Sequence, residues 1–132
     1  MKTKEVEKEL RSMGIHPLTE DGKRFYMSGD SRVLIQERDG DILLSSVVGL
    51  LSEVLEQNIP NALVAFLDAN QHLQPASLGI MVENNDMAVK AMVLIDRVSD
   101  RGSLQRSLNA LEMAIRASAA IMSQAASEVA LA

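Results

Sequence analysis

Apolar positions along the chain follow two different periods, and the switches between them divide it into elements. Val6, Leu10 and Met13 recur at the spacing of one helix face. They predict a first helix from about Lys2 to Met13. Gly14 ends it, and Pro17 stands just beyond as a further stop. Ile15 and Leu18 are expected to tuck the connector against the core. The period then shortens to two. Arg24 to Met27 reads as a first strand, and Ser28-Gly-Asp-Ser31 as a turn. In Arg32 to Glu37, Val33 and Ile35 fall on one face, with Arg32, Leu34 and Gln36 on the other. Asp39-Gly40 is a hairpin signal suited to a type I′ turn. Asp41 to Val48 follows as a third strand, giving an antiparallel meander.

Gly49 to Gln57 is ambiguous. Leu50, Leu51, Val54 and Leu55 have helical spacing, but the stretch is short. A brief helix, or a strand end followed by a turn, fits equally well. Asn58-Ile-Pro60 opens a clearer helix, because proline loses nothing at the first helical position. Leu63, Phe66, Leu67, Asn70 and Leu73 carry its stripe, with Pro75 past its end. Two more strands follow, Ser77 to Val82 and Met87 to Ile95, joined by the turn Glu83-Asn-Asn-Asp86. Val89, Ala91, Val93 and Ile95 fall on one face of the longer strand. Ala88, Lys90, Met92 and Leu94 fall on the other. Both faces are fairly apolar, so one is expected to meet helices and the other to be partly covered by a partner or a second copy. Gly79 interrupts Leu78-Gly-Ile80, which predicts a bulge or close packing, with a ligand against bare backbone as the sharper alternative.

The last element has the clearest pattern. Leu104, Leu108, Leu111, Ile115 and Met122 form an amphipathic stripe on a helix from Arg101 to at least Gln124. Ser99 or Ser103 is expected to cap it. The tail after about Gln124 is rich in alanine and serine, and either continues the helix or frays. The resulting class is α+β. It is a two-layer arrangement, an antiparallel sheet of about five strands packed against helices in the order α-β-β-β-α-β-β-α. Leu104, Leu108, Leu111 and Ile115 serve as a core stripe or a dimer stripe.

Composition narrows what such a fold does. A chain of 132 residues is expected to form one domain. No cysteine is present, so disulfides, thiolate metal sites and cysteine nucleophiles are excluded. The charged start lacks the apolar segment of a signal peptide. No apolar run approaches the length of about 18 residues that a membrane span needs. A cytoplasmic setting is expected. The net charge of −5 and an aromatic content of 2% disfavour nucleic acid, which calls for basic patches and stacking rings. Lys2, Lys4, Lys8 and Arg11 alternate with acids on the first helix, a pattern of intrahelical pairs. Arg97 and Arg101 lie among Asp96 and Asp100, so that patch is mixed.

No constellation of catalytic residues stands out. His16 lies in a Gly-His-Pro connector and His72 near a helix end, with no ligand partner at metal spacing. The acids gather at turns. Asp39 and Asp41 flank Gly40 as hairpin residues do. No serine lies in a Gly-x-Ser-x-Gly elbow, and the glycines match neither phosphate-binding spacing. No cofactor and no metal are expected. A small enzyme or ligand-binding domain would have to bring His72, Ser77 and Asp96 into one cavity. The eight methionines are the unusual count. Methionine fills irregular cores and also suits adaptable surfaces. Met81, Met87 and Met92, with Leu94, lie on the last hairpin, where they would receive a protein partner or an extended peptide segment.

The element order and the long last helix resemble the small acidic type III secretion chaperones of bacteria. That resemblance implies a dimer that wraps an extended segment of an effector. A second resemblance is to the uncharacterised bacterial YjfI-like family. It rests on Phe66-Leu-Asp-Ala-Asn-Gln-His72 through Leu73-Gln-Pro-Ala-Ser-Leu-Gly-Ile80, on Ala91-Met-Val-Leu94 leading to Ser103-Leu104, and on Leu104 to Ile115 with Leu108, Leu111 and Glu112. The junction Asp96-Arg-Val-Ser-Asp-Arg101 is more charged than that family's. The resemblance carries no catalytic residues. It implies an accessory role beside phage-shock-type membrane-stress proteins, with any membrane association indirect, through a partner. The expected function is therefore a non-catalytic protein-binding module, a homodimer serving membrane stress or secretion.

Overall fold

The computed structural model describes residues 2–96 and 100–126. Helix α1 runs Thr3–Ser12 and is followed by strands β1 (Leu18–Glu20), β2 (Lys23–Ser28), β3 (Ser31–Arg38) and β4 (Asp41–Leu50). Two short 3-10 turns, Leu51–Glu53 and Glu56–Asn58, lead into α2 (Ile59–Asn70). Strands β5 (Ser77–Glu83) and β6 (Asp86–Ile95) precede the long helix α3 (Arg101–Ala125). The six strands form one antiparallel sheet in the order β1-β2-β3-β4-β6-β5. The α+β class holds, with one strand more than the meander and hairpin alone supply.

The additional strand is β1, which pairs Leu18 with Phe25 and Glu20 with Lys23. The Asp21-Gly22 pair makes the turn, with both residues at positive φ. Asp39-Gly40 and Asn84-Asn85 turn the β3-β4 and β5-β6 hairpins in the same way, and Asp-Gly and Asn-rich pairs tolerate that conformation better than other side chains. The ambiguous stretch after Val48 divides: strand β4 continues to Leu50, and the two 3-10 turns take up the rest.

All three helices lie on one face of the sheet. Tyr26, Val33, Ile35, Ile42, Leu44, Val89, Ala91, Val93 and Ile95 point towards them and are buried. Leu104, Leu111 and Ile115 of α3 are buried in the same cluster, and Leu108 packs partly buried against it. Val6 and Leu10 bring α1 onto this face, while Ala62 and Phe66 bring α2. Helix α3 can approach closely because small residues line the contact: Ser107, Ala110, Ala114 and Ser118 are buried. Ser118 satisfies its hydroxyl by donating to the Ala114 carbonyl at 2.7 Å. Asp100, rather than Ser103, caps α3, accepting from the Ser103 N–H at 2.8 Å. That bond holds the Asp100 carboxyl below the usual aspartate range. Ser99 and Arg97 lie outside the described residues, as does the tail beyond residue 126.

Candidate functional site: the last hairpin and its free edge

Among the described residues, no helix lies on the opposite face of the sheet. Its central row runs Leu18, Phe25, Leu34, Ser45, Met92 and Ser77 across all six strands. Arg32 covers part of it, with its guanidinium 4.1 Å from the centre of the Phe25 ring, a cation–π arrangement. Arg32 also pairs with Glu20 at 3.0 Å, and Lys90 pairs with Glu83. Arg32, Glu83 and Lys90, with Lys23, Leu34, Ser45 and Val47, rim a shallow depression of about 270 Å³. Leu94, opposite Leu43, is 53% exposed on the same face.

The hairpin residues singled out in the sequence divide between surfaces. Met81, Met92 and Leu94 lie on the helix-free face. Met87 pairs with Val82 at the hairpin tip, and both are exposed. Gly79 keeps regular register opposite Lys90, so no bulge occurs there. The irregularity lies instead between Val47 and Gly49 on β4. A side chain at Gly79 would come within 3.3 Å of Met92 Cε, so the glycine makes room for the neighbouring methionine.

Strand β5 is the long free edge of the sheet, since β1 at the other edge has only three residues. Beside β5 runs an apolar groove of about 300 Å³. Leu63, Phe66 and Leu67 of α2 form one wall, and Leu78 and Ile80 of β5 the other. Leu67 is 68% exposed and Val82, further along the edge, 72%. At the start of the edge, the Asn70 side chain bonds twice to one residue of β5. Its Nδ2 donates to the Leu78 carbonyl at 2.9 Å, and the Leu78 N–H donates to its Oδ1 at 2.6 Å. In an antiparallel pair, the N–H and C=O of one residue point to the same side and alternate along the strand. Leu78 therefore faces away from β6, and so do Ile80 and Val82. Among the described residues, no main-chain group pairs with the outward groups of Ile80 and Val82. Sequence reading placed Asn70 only on a helical stripe. Its role depends on the approach of α2 to β5, which no local pattern encodes.

His72 lies in the turn after α2, Ser77 opens β5 and Asp96 follows β6; all three are exposed. None of them lines the groove or the depression described above. Among the described residues, no group of three or more His, Asp or Glu is placed to hold a metal ion. Nor is any helix among them long and apolar enough to cross a membrane.

No family model matches the chain, and no curated protein matches it in sequence. Solved structures do resemble it in fold. A chain of the heterodimeric ExoU–SpcU complex from the type III secretion system of Pseudomonas aeruginosa superposes with a TM-score of 0.66 at 16% identity, covering 88% of this chain and 96% of that one. YbjN, a putative transcription regulator from E. coli, gives 0.64 at 12% identity, covering 87% and 89%. A chain of the HopA1–SchA chaperone–effector complex gives 0.59 at 18% identity, covering 87% and 90%. At these identities the likeness is one of fold. The architecture is thus shared with a chain of a type III secretion complex and with a chain of a chaperone–effector complex, and the fold resemblance read from the sequence stands at that level.

Proposed function

We propose that this chain is a non-catalytic, chaperone-like module that holds an extended segment of another protein along the β5–β6 hairpin. The observation that carries the reading is the β5 edge, where the outward main-chain groups of Ile80 and Val82 border an apolar groove. An edge of this kind offers main-chain hydrogen bonds for affinity and a side-chain pocket for selectivity. Met81 and Met87 flank it with flexible apolar contacts. The fold shared with a chain of a heterodimeric type III secretion complex and with a chain of a chaperone–effector complex supports the same reading. The resemblance to the YjfI-like family extends it to an accessory protein of a membrane-stress system, and the resemblance to type III secretion chaperones to one of a secretion system, in a cytoplasmic setting. Homodimerisation is part of the proposal. The helix-free face at Met92 and Leu94 is the surface a second copy would cover.

Val82→Pro tests the reading. The Val82 N–H points away from β6, so proline removes an edge donor without breaking the ladder. The variant should remain folded and lose the proteins that the native chain captures. Capture of the same proteins by Val82→Pro and by Leu67→Glu would end the proposal. Sedimentation of the native chain and of Leu94→Lys tests the dimer, which the substitution should split.

A further inference from the structure

Asn70 places a carboxamide where a neighbouring antiparallel strand would place the N–H and C=O of one residue. It bonds both outward main-chain groups of Leu78, one as donor and one as acceptor. One residue of an added antiparallel strand would make the same two bonds to Leu78. Two and four positions on, Ile80 and Val82 present the same pair of groups with no such substitute among the described residues. The edge is therefore closed at one end and open at the other.

We infer that Asn70 sets the register of the binding site: a segment of another protein adds to β5 only at Ile80 and Val82, and its first inward side chain enters the groove between Leu63, Leu67 and Ile80. This rests on the strand-accepting reading above and deepens it. The occupant is extended polypeptide because the unpaired groups are main-chain donors and acceptors at strand spacing. A small polar ligand finds nothing in the groove to orient it. Among the described residues, Asn70 is its one polar lining side chain, and both ends of that amide are engaged by Leu78. The groove is otherwise lined by aliphatic side chains, Phe66 and Gly79, so the inward residue of the segment is apolar. Successive side chains of a strand alternate between faces, so an apolar residue at every second position fits. Asn70 is thus a positioning residue. It also shortens an edge that would otherwise offer three consecutive pairing positions, which limits indiscriminate strand addition.

Amide hydrogen exchange on the full-length chain, read residue by residue, tests this. In the native protein, the Leu78 N–H should exchange slowly and those of Ile80 and Val82 fast. Asn70→Ala should speed Leu78 exchange about tenfold, the effect of losing one hydrogen bond of ordinary strength. Asn70→Asp keeps the acceptor oxygen and should retain most of the protection. The probe is a short capped peptide alternating valine with threonine, compared with a copy N-methylated at alternate amides. In the native chain, the unmodified peptide should protect Ile80 and Val82 and leave Leu78 unchanged. In Asn70→Ala, the protected stretch should lengthen to include Leu78. Fast Leu78 exchange in the native chain, or unchanged exchange in Asn70→Ala, overturns the role given to Asn70. So does a peptide footprint of the same length in both proteins. A slow Leu78 N–H with no protection of Ile80 and Val82 by the peptide overturns the strand-accepting reading and leaves Asn70 as an edge cap alone.

Discussion

Glu7 of α1 and Arg24 of β2 meet in a forked ion pair that fastens the first helix to the sheet. Arg24 Nε donates to Glu7 Oε2 at 3.0 Å, and its Nη2 donates to Oε1. Arg11, one turn along α1, approaches the same carboxylate at 3.7 Å. Glu7 is 7% exposed, so removing its charge takes away the buried half of the pair and leaves Arg24, partly exposed, without it. The Arg24 hydrogen bond holds the Glu7 carboxyl below its usual pKa, against the upward push of burial. The sign follows: the stabilisation is complete above the unfolded glutamate value, about 4.3, and drains away as pH falls through that value and the lower folded one. Glu7→Gln should cost about 1–2 kcal/mol at neutral pH, allowing for the partial exposure of Arg24. Urea midpoints of the two proteins should converge once pH falls below the folded Glu7 value, and a gap that never closes as the solution is acidified would assign the loss to packing.

Asn58 fastens the other end of the helical layer. Its side-chain Nδ2 donates at 3.0 Å to the carbonyl of Ala125, the last residue of α3, and the Leu55 N–H reaches the same oxygen at 3.3 Å. The final carbonyls of a helix lack partners within it, so this buried amide satisfies one of them from a distant element. Asn58→Leu should destabilise by about 1–3 kcal/mol. It should also speed amide exchange in the last turn of α3 while leaving the first turn unchanged. Equal acceleration at both ends of α3 would refute a local role for Asn58.

These two contacts mark the boundary of what the sequence makes legible. Alternation in Arg32 to Glu37 and in Met87 to Ile95 locates β3 and β6, because burial on one face repeats at every second residue. The stripe from Leu104 to Ile115 likewise locates α3. Strand β1 has only three residues, too short for any period, and its legible mark is the Asp21-Gly22 turn that returns it to β2. Asn58 looks like a helix start because Pro60 follows it, yet its side chain makes no cap and crosses to α3 instead. Glu7 looks like one more charge in an alternating helix, and its Arg24 partner is 17 residues away. Asn70 and Leu78 are closer in sequence, but their contact requires α2 to fold back along β5. Periodicity reports which face a residue occupies. It does not report which polar group meets another across elements.

The last helix and the last strand separate two kinds of apolar residue that share one sequence pattern. Leu104 is fully buried, whereas Leu94 is half exposed on the face without helices. Leu104→Ala should cost about 2–5 kcal/mol, as deletions in well-packed cores do. At protein concentrations where the proposed dimer is dissociated, Leu94→Lys should move stability by no more than about 0.5 kcal/mol, as surface changes do. The measurement is thermal and urea unfolding of both variants beside the native chain. A large loss of stability in Leu94→Lys would mean that the helix-free face is covered in solution, and its dependence on protein concentration would identify a second copy as the cover.

Gly49 tests how closely α3 is seated on the sheet. The irregularity between Val47 and Gly49 brings β4 up beneath the end of α3, and a Cβ built at Gly49 would stand 2.8 Å from Met122 Cε. That distance is too short, but the obstructing atom is the tip of a flexible side chain, so Met122 can move aside at moderate cost. Gly49→Ala should therefore destabilise by about 1–2 kcal/mol, within the range for overpacking a core. Met122→Ala alone should also destabilise, because it empties a buried position. In the double variant, the new methyl occupies part of the space the methionine leaves. The combined loss should then fall short of the sum of the single losses by at least about 0.5 kcal/mol, the coupling expected of residues in contact. Strict additivity in urea unfolding would mean that the Gly49 backbone and Met122 do not meet, and that the end of α3 is seated elsewhere.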